Sequence, residues 1–333
     1  MTTPTMITRT LGRSGPAVSA IGLGCMGLSQ GYGDADDRES VATLRRAVEL
    51  GVTFFDTAMS YGSGHNERLV GEALAPYQDE VVLATKVGIV RDPAGAVSLD
   101  GRPEHVRAHC EASLTRIGTD RIDLYYLHRV DPDVPVEETI GAMAQLVAEG
   151  KVGHLGISEA DAPTLARAAA THPIAVLQCE WSLWWREPED DVVPAARRLG
   201  IGLVPYSPLG RGFLAGSVRP GEFDVGDFRR GDPRFAGEHL ASNTVGVERL
   251  ARIAERHGVT CAQLALAWLL AQGEDVVPIP GTRRADRVEQ NAAAAGLILG
   301  ARDLAEIADA VGRDAWSGDR RSFAAHRTRR SRA

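Results

Sequence analysis

The sequence Val52-Thr53-Phe54-Phe55-Asp56-Thr57-Ala58-Met59-Ser60-Tyr61-Gly62 joins a short apolar run to an acid and then to a tyrosine. The run that ends at Phe55 has the composition of a buried β-strand, and a Ser/Gly-containing turn follows it. Because loops on a rigid scaffold carry reactive groups, we interpret Asp56 and Tyr61 as candidate functional residues. An aspartate in this position is, on its own, more often a turn former or a helix cap. The interpretation therefore depends on which residues end the other strands.

Short apolar runs alternate with helical patterns along most of the chain. Strands are predicted at Ile21–Gly24, Thr53–Phe55, Val81–Ala84, Ile122–Leu127, Val152–Ile157, Ala175–Gln178, Gly202–Pro205 and Val276–Pro278. Helices are predicted at Arg38–Leu50, Glu67–Leu74, Glu104–Ile117, Glu137–Glu149, Ala162–Ala170, Asp190–Leu199, Asn243–His257, Cys261–Gln272, Ala285–Ala295 and Ala301–Ala310. Eight such repeats predict an α/β fold, the (β/α)8 TIM barrel, with extra C-terminal helices. Residues 6–20 are predicted to form a hairpin that plugs the N-terminal end.

No linker of distinct composition divides the 333 residues, so we predict one barrel domain over residues 1–312. Two loops, Val87–Pro103 and Ser207–Ser242, are longer than the other links and are typical of lids or binding loops. Residues 313–333 form a basic tail with seven Arg and two Asp. We interpret the tail as a mobile extension, with contact to an acidic partner as the alternative.

The composition excludes several classes of protein. Hydrophobic residues make up 44% and charged residues 24%, as in soluble enzymes, and the net charge of −7 argues against nucleic-acid binding. The sequence contains no apolar run long enough to span a membrane and no signal-peptide core near its start, which favours a cytoplasmic location. The four cysteines have no CxxC spacing, so we expect free thiols and no metal site.

Polar residues stand at the ends of successive predicted strands, where the active site of such a barrel lies. Asp56 and Tyr61 follow the second strand, Lys86 follows the third and His128 follows the fourth. A lysine beside a tyrosine is expected to lower the pKa of the phenol, and a histidine can orient a substrate oxygen. This combination predicts a proton donor aimed at a carbonyl group, which requires a hydride source such as a nicotinamide cofactor.

A phosphate site is predicted independently after the eighth strand. Pro280-Gly281-Thr282-Arg283-Arg284 precedes a helix that contains Arg287, Gln290 and Asn291. Several arginines at a helix start suit a 2′-phosphate and favour NADPH over NADH. Elsewhere in the sequence, we expect Tyr206 to stack on the nicotinamide ring, Ser158 and Gln178 to bind its amide, and Arg211 to hold the pyrophosphate.

The order and spacing of these motifs resemble the aldo-keto reductase family over residues 7–311. The motifs that carry the resemblance are Gly22-Leu23-Gly24-Cys25-Met26-Gly27, Asp56 with Tyr61-Gly62, Thr85-Lys86, Leu127-His128, Gly156-Ile157-Ser158, Gln178 with Trp181-Ser182, Tyr206-Ser207-Pro208-Leu209-Gly210-Arg211-Gly212 and Ile279-Pro280-Gly281-Thr282-Arg283. The residues in these motifs are most similar to those of the branch that contains plant perakine reductases and bacterial relatives.

The resemblance implies reduction of aldehydes or ketones with NADPH, reversibly, by direct 4-pro-R hydride transfer from a cofactor extended across the barrel. It implies Tyr61 as the general acid, Asp56 and Lys86 as its tuning partners, and His128 as the residue that orients the carbonyl. The substrate contacts expected are Tyr61, His128 and Trp181. The cofactor contacts expected are Gly24, Cys25, Met26, Asp56, Ser158, Gln178, Tyr206, Ser207, Pro208, Leu209, Arg211, Gly281, Thr282, Arg283, Arg287, Gln290 and Asn291.

Three residues depart from the family pattern. Glu159 stands where many members have an asparagine that binds the carboxamide, Gln290 stands where many have a glutamate beside the adenine, and Trp181 replaces a commoner tyrosine. None of the three belongs to the predicted catalytic set. The family includes monomers and larger assemblies, so the resemblance allows a homo-oligomer without requiring one.

Other functions fit the sequence less well. Gly22, Gly24 and Gly27 have the spacing of a Rossmann fingerprint, but a loop follows them instead of a helix. We therefore assign these glycines to close backbone approach to a ligand. The nine histidines include no HExxH and no HxH at a strand end, which disfavours a metal-dependent hydrolase. An NADPH-binding regulatory subunit of the potassium-channel β type, with slow turnover, remains the alternative.

Overall fold

An antiparallel hairpin lies at the start of the chain. The computed structural model describes residues 6–91, 96–216, 218 and 223–320, and its hairpin consists of β1 (Thr8–Thr10) and β2 (Ala17–Ser19). Arg9 fixes the hairpin to a distant part of the chain, because its Nη1 donates a hydrogen bond to Gly273 O at 2.7 Å. Leu11, in the turn, is fully buried among side chains of the parallel strands that follow. The hairpin is thus the predicted plug.

Parallel strands alternate with helices through the rest of the chain. In chain order the elements are β3 (Leu23–Gly24), α1 (Asp37–Glu49), β4 (Phe54–Asp56), α2 (His65–Leu74), β5 (Val82–Val87), β6 (Ile89–Arg91), β7 (Val97–Leu99), α3 (Pro103–Ile117), β8 (Ile122–Leu127), α4 (Val136–Ala148), β9 (Val152–Ser158), α5 (Ala162–Thr171), β10 (Ile174–Glu180), α6 (Val192–Leu199), β11 (Gly202–Tyr206), α7 (Gly237–Arg256), α8 (Cys261–Leu270), α9 (Ala285–Ala293) and α10 (Ala301–Ala310). Seven strands form one sheet in the order β11-β10-β9-β8-β5-β4-β3. The predicted barrel fold is confirmed.

An extended segment holds the eighth strand position. The predicted strand at Val276–Pro278 is wrong as a regular strand, because the segment makes a single parallel bridge, to Leu203 of β11. On its other side, the Gly22 N–H donates to the Pro278 carbonyl at 3.0 Å. The next bond of a parallel ladder would need an N–H from Pro280, and a proline nitrogen carries no hydrogen. The barrel therefore closes between β11 and β3 through an incomplete ladder.

Helix ends follow from local sequence signals. Asp36 caps α1 by accepting a hydrogen bond from the Arg38 N–H at 2.8 Å. Thr260 and Gln263 form a reciprocal capping box at the start of α8. Gly118 ends α3 with a φ of 78°, a left-handed conformation that glycine adopts without strain. None of the helices in the described ranges is both long and apolar enough to cross a membrane.

Both long loops contain ordered structure that the sequence patterns did not predict. The loop after β5 carries the antiparallel hairpin of β6 and β7, with Val90 opposite Ser98. In the loop after β11, short 3₁₀ turns occupy Gly210–Ala215 and Phe228–Gly231, and α7 begins at Gly237, six residues before the predicted start at Asn243. The loop positions 92–95, 217 and 219–222 lie outside the described residues.

Residues 313–320, here called the C-terminal segment, pack against the barrel. Arg313 forms an ion pair with Glu189 at 2.9 Å, and the Ser317 N–H donates to Asn243 Oδ1 at 2.8 Å. The interpretation of this part of the tail as a mobile extension is therefore wrong, because fixed polar contacts hold it. The rest of the predicted tail, residues 321–333, lies outside the described residues.

Candidate active site

A cavity of about 630 Å³ opens at the C-terminal ends of the strands. It extends from the first turn of α9 to the β6–β7 hairpin, so it crosses the mouth of the barrel. Most of the residues predicted to bind cofactor or substrate line it, namely Gly24, Met26, Asp56, Tyr61, His128, Gln178, Tyr206, Ser207, Pro208, Leu209, Arg211, Gly281, Thr282, Arg283, Arg287, Gln290 and Asn291. The structure thus brings together residues that are distant in sequence.

A buried ion pair lies at the base of the cavity. Lys86 Nζ contacts Asp56 Oδ1, and it also donates a hydrogen bond to the Thr57 carbonyl at 2.7 Å. The second oxygen of Asp56 accepts a hydrogen bond from Gln178 Nε2 at 2.8 Å. Parallel pairing of β4 with β5 sets Asp56 beside Ala84, two residues before Lys86. The carboxylate is therefore held from two sides, and the lysine lies behind it with its side chain fully buried.

The proton affinities of this group are set mainly by burial. Burial raises the pKa of Asp56 and lowers that of Lys86, although the attraction between the two charges opposes both shifts. Burial also raises the pKa of Tyr61, and the charge of Asp56 raises it further. The expectation that Lys86 lowers the pKa of Tyr61 is thus not met. The lysine charge is paired with that of Asp56, whose own charge raises the pKa of Tyr61. Tyr61 keeps its proton at neutral pH.

Tyr61 and His128 face each other at the cavity wall. Their ring centroids are 5.8 Å apart and their planes are nearly perpendicular, while Lys86 Nζ lies 5.2 Å from the centre of the Tyr61 ring. Burial lowers the pKa of His128 well below its usual range, and the charges of Arg129 and Lys86 lower it further. The imidazole is therefore neutral at physiological pH. Its Nδ1 is buried without a hydrogen-bond partner among the described residues, and the residue lines the cavity.

Four predicted residues lie behind the cavity wall instead of lining it. Lys86 stands behind Asp56, and the Cys25 thiol is fully buried with its Sγ 3.6 Å from the Leu23 carbonyl. Ser158 is also fully buried, and its hydroxyl accepts a hydrogen bond from Arg129 at 3.0 Å. The fourth, Trp181, is described below.

Gly24 lines the cavity, but its lack of a side chain has a structural cause. A Cβ at this position would lie 2.8 Å from the Ile279 carbonyl oxygen. The sequence interpretation assigned the glycine to close approach of a ligand. The structure shows that the nearest obstacle is the segment that closes the barrel.

Trp181 is not at the cavity, contrary to its predicted role in substrate binding. Its indole is 1% exposed and packs edge-on against Trp268 of α8, with the ring centroids 6.4 Å apart. The indole N–H donates a hydrogen bond to Glu189 at 2.9 Å. The prediction ended the strand at Gln178, whereas β10 continues to Glu180. Trp181 consequently points between the sheet and the outer helices.

Two predicted phosphate ligands are already engaged with the protein. Arg211 forms a buried ion pair with Asp232 at 2.9 Å, and its guanidinium lies over the ring of Phe228. Arg283 donates hydrogen bonds to the carbonyls of Tyr32, at 2.7 Å, and Asp34. Arg283 thus ties the loop between β3 and α1 to the start of α9, across the cavity. Arg287, in the first turn of α9, lines the cavity directly.

The cavity also contains residues that the sequence analysis did not predict. The β6–β7 hairpin contributes Ile89, Arg91 and Val97, and Arg129 directly follows His128. The signal for Arg129 was available, since it stands at a strand end beside a predicted catalytic residue. Others lie in loops or at helix starts whose contacts depend on the folded structure, among them Gln30, Tyr32, Ser60, Phe228, Arg229, Thr260, Ala262 and Asp286.

Backbone strain is concentrated around the cavity. Among the described residues, only four other than glycine have a positive φ, and two of them, Glu159 and Ser207, directly follow β9 and β11. The other two are Ser63, after Tyr61, and Arg211. Such conformations cost about 1–3 kcal/mol each and persist where the surroundings hold them.

The described residues contain no cluster of three or more His, Cys, Asp or Glu side chains that could hold a metal ion.

Comparison with known proteins identifies the family. The sequence profile of the "Aldo/keto reductase family" matches residues 20–311. A "Probable aldo-keto reductase 1" of Glycine max is 47% identical over 303 residues, which cover 90% of this chain and 88% of the relative.

Solved structures agree with this match. The glycerol dehydrogenase of Gluconobacter oxydans superposes with a TM-score of 0.85 at 27% identity, over 92% of this chain and 95% of the other. An aldo-keto reductase of Klebsiella pneumoniae, solved in complex with NADPH, superposes with a TM-score of 0.70 at 32% identity, over 92% and 96%. The chain belongs to the aldo/keto reductase family.

Proposed function

We propose that this protein reduces aldehydes or ketones to alcohols with NADPH as the hydride donor, in a reversible reaction. One observation carries the proposal. Tyr61 and His128 face each other on the cavity wall, and the buried Lys86–Asp56 pair lies directly behind them. Two neutral hydrogen-bonding groups beside a fixed ion pair suit a small carbonyl substrate, whose oxygen must accept a proton.

The residues at the far end of the cavity fit NADPH. The N-terminus of α9 offers backbone N–H groups, and Arg287 adds a positive charge in the first turn, as a 2′-phosphate would require. Tyr206 and Gln178 line the cavity nearer to Tyr61, where a nicotinamide ring would need an aromatic face and an amide partner. When bound, the cofactor supplies a hydride. The Klebsiella pneumoniae relative in complex with NADPH supports this choice.

We assign the proton to Tyr61. Because its pKa is raised, the phenol carries its proton at neutral pH and can give it to the carbonyl oxygen as that oxygen gains negative charge. His128 is neutral, so its one N–H can donate a hydrogen bond to the same oxygen and orient it. Lys86 Nζ lies 5.2 Å from the centre of the Tyr61 ring, where its charge opposes the repulsion between Asp56 and the phenolate that remains.

The test is NADPH oxidation by the purified protein with 4-nitrobenzaldehyde, compared with Tyr61→Phe and with NADH. We expect turnover with NADPH, and we expect kcat to fall by about 10²–10⁴-fold in Tyr61→Phe because the proton donor is lost. NADPH binding, measured by calorimetry, should be retained in the variant, since only a hydroxyl is removed.

Three other outcomes are informative. A near-normal kcat in Tyr61→Phe would contradict the assignment of the acid. Tight NADPH binding without turnover of any aldehyde would favour the regulatory-subunit alternative. Absence of NADPH binding would refute the proposed cofactor and with it the proposed reaction.

A further inference from the structure

The C-terminal segment carries one arginine to the mouth of the barrel. Three contacts lead the chain there: the Arg313 ion pair with Glu189, the reciprocal hydrogen bonds between Ser317 and Asn243, and the packing of Trp316 on Gly246. A Cβ at Gly246 would lie 2.7 Å from the Trp316 ring, so the indole sits directly on the α7 backbone. Arg320 is the last residue of the segment.

Arg320 is enclosed by groups from three strand ends. Its Nη1 donates to Glu159 Oε1 at 3.1 Å and to the Tyr206 hydroxyl at 3.3 Å, and it lies 3.5 Å from Glu180 Oε2. Its Nη2 contacts the other oxygen of Glu159, and the guanidinium lies over the ring of Trp185. Its side chain is 16% exposed. The contact with Glu159 is thus bidentate and largely buried, a geometry that favours a strong, fixed pair.

Glu159 depends on this partner more than Glu180 does. Glu180 also pairs with Arg234 at 2.8 Å and is fully buried. Glu159 is only 11% exposed, and its remaining contact is the Glu180 N–H, which donates to Oε1 at 3.0 Å. Burial raises the pKa of Glu159, but the charge of Arg320, followed by that of Arg129, lowers it below its usual value. Removing Arg320 would leave a buried carboxylate with only Arg129 to oppose its charge.

Because of where Glu159 lies, the charge balance between Glu159 and Arg320 affects cofactor binding. Arg320 joins Glu159 to Tyr206, which lines the cavity and belongs to the set expected at the nicotinamide. Glu159 also directly follows Ser158, which belongs to the same expected set but lies behind the cavity wall. An oxidised nicotinamide carries a positive charge and a reduced one does not. An uncompensated carboxylate at this point would stabilise the oxidised form by Coulomb attraction, whereas a compensated one would not.

We propose that Arg320 is a positioning residue that neutralises and fixes Glu159 at the nicotinamide end of the site, so that the site does not favour oxidised over reduced cofactor. This inference rests on the proposed function. Arg320 acts through Glu159 and has no role in proton transfer.

The test is calorimetric measurement of the Kd values for NADP⁺ and for NADPH, using the full chain. In Arg320→Met, we expect the ratio Kd(NADP⁺)/Kd(NADPH) to fall by about tenfold. In Glu159→Gln, which removes the nearer of the two carboxylates that contact Arg320, the ratio should rise. The double variant should return to within about twofold of the wild-type ratio, because both charges are gone. Arg313→Met, which removes a surface anchor of the same segment, should leave the ratio unchanged.

The opposite signs expected for the two single variants separate charge compensation from loss of structure. If Arg320→Met does not fold, Glu159→Gln and the charge-retaining Arg320→Lys still test the proposal, with a raised ratio expected in the first and a wild-type ratio in the second. Unchanged ratios in Arg320→Met and Glu159→Gln, with NADPH binding and aldehyde reduction intact in the wild type, would overturn this inference alone. Failure of the wild type to bind NADPH would overturn the proposed function.

Discussion

Tyr61 and His128 are polar residues whose protonation is decided by burial. Reference pKa values of about 10 and 6.5 would leave Tyr61 neutral and His128 partly charged near neutral pH. In the folded chain burial moves the pKa of Tyr61 up and that of His128 down, so both stay neutral over a wide pH range. A neutral imidazole and a protonated phenol can both donate a hydrogen bond to the same oxygen. Neither shift could be predicted from the sequence, because both depend on the depth of the residue in the fold.

The lowered pKa of His128 has a measurable effect on stability. Below a pH of about 6.5 the unfolded chain binds a proton at this position, whereas the folded chain does not. The free energy of unfolding should therefore decrease as the pH falls, by up to about 1.4 kcal/mol per pH unit from this residue. We expect His128→Asn to show a shallower dependence in urea denaturation at pH 5, 6 and 8. Identical slopes would mean that folding does not lower the pKa of His128.

The residues proposed as catalytic could be placed together because each directly follows or lies near a strand end. Asp56, Lys86 and His128 are separated by whole helices in sequence, yet the C-terminal ends of parallel strands meet at one edge of a barrel. Hydrophobic periodicity was sufficient to place them together. The partners of Arg211 and Arg320 could not be predicted, since Asp232 and Glu159 are reached only through loop and terminal conformations.

At the scale of elements, Trp181 belongs to the packing between β10 and α8. Because its indole is buried against Trp268 and away from the cavity, we expect Trp181→Ala to lower the free energy of unfolding by about 3–5 kcal/mol. The KM for 4-nitrobenzaldehyde should remain within about twofold of the wild-type value. Chemical denaturation and steady-state kinetics measure the two effects separately. A raised KM with unchanged stability would return Trp181 to the substrate pocket.

Two arginines at the start of α9 should differ in their effect on cofactor choice. Arg287 lines the cavity from the helix, so Arg287→Ala should raise the Kd for NADPH by about tenfold or more and leave that for NADH nearly unchanged. Arg283 holds the β3–α1 loop through the carbonyls of Tyr32 and Asp34, so Arg283→Ala should weaken both cofactors alike. Calorimetry with both cofactors distinguishes the two roles. Equal losses in Arg287→Ala would place the 2′-phosphate elsewhere.

The β6–β7 hairpin shows the limit of periodicity within a single loop. Its strands have three residues each, too few to give an alternating pattern that stands out from a loop. It was therefore predicted only as a long link typical of a lid or binding loop, which gave no individual residues. The structure adds Ile89, Arg91 and Val97 to the cavity wall, where they make the hairpin a candidate for substrate selection.

For the molecule as a whole, the order of strands and helices could be predicted from the sequence, but the way in which the barrel closes could not. Seven strand positions agree with the prediction to within a few residues, because each has a local apolar signal. The eighth position has the same signal at Val276–Pro278, yet the alternating prolines prevent a full ladder. The docking of residues 313–320 depends on contacts more than 70 positions away in sequence, such as Ser317 with Asn243. Local patterns carry no information on such pairs.

The incomplete eighth position has a further consequence during synthesis. A growing chain exposes the free edges of β3 and β11 until residues 276–280 emerge from the ribosome, and exposed strand edges invite pairing with other chains. The edge of β3 is exposed longest during synthesis. Because β3 has only two residues, it offers few backbone groups with which another chain could pair. The prolines at 278 and 280 likewise make the closing segment a poor seed for intermolecular sheets. The feature that weakens the finished seam therefore protects the nascent barrel from aggregation.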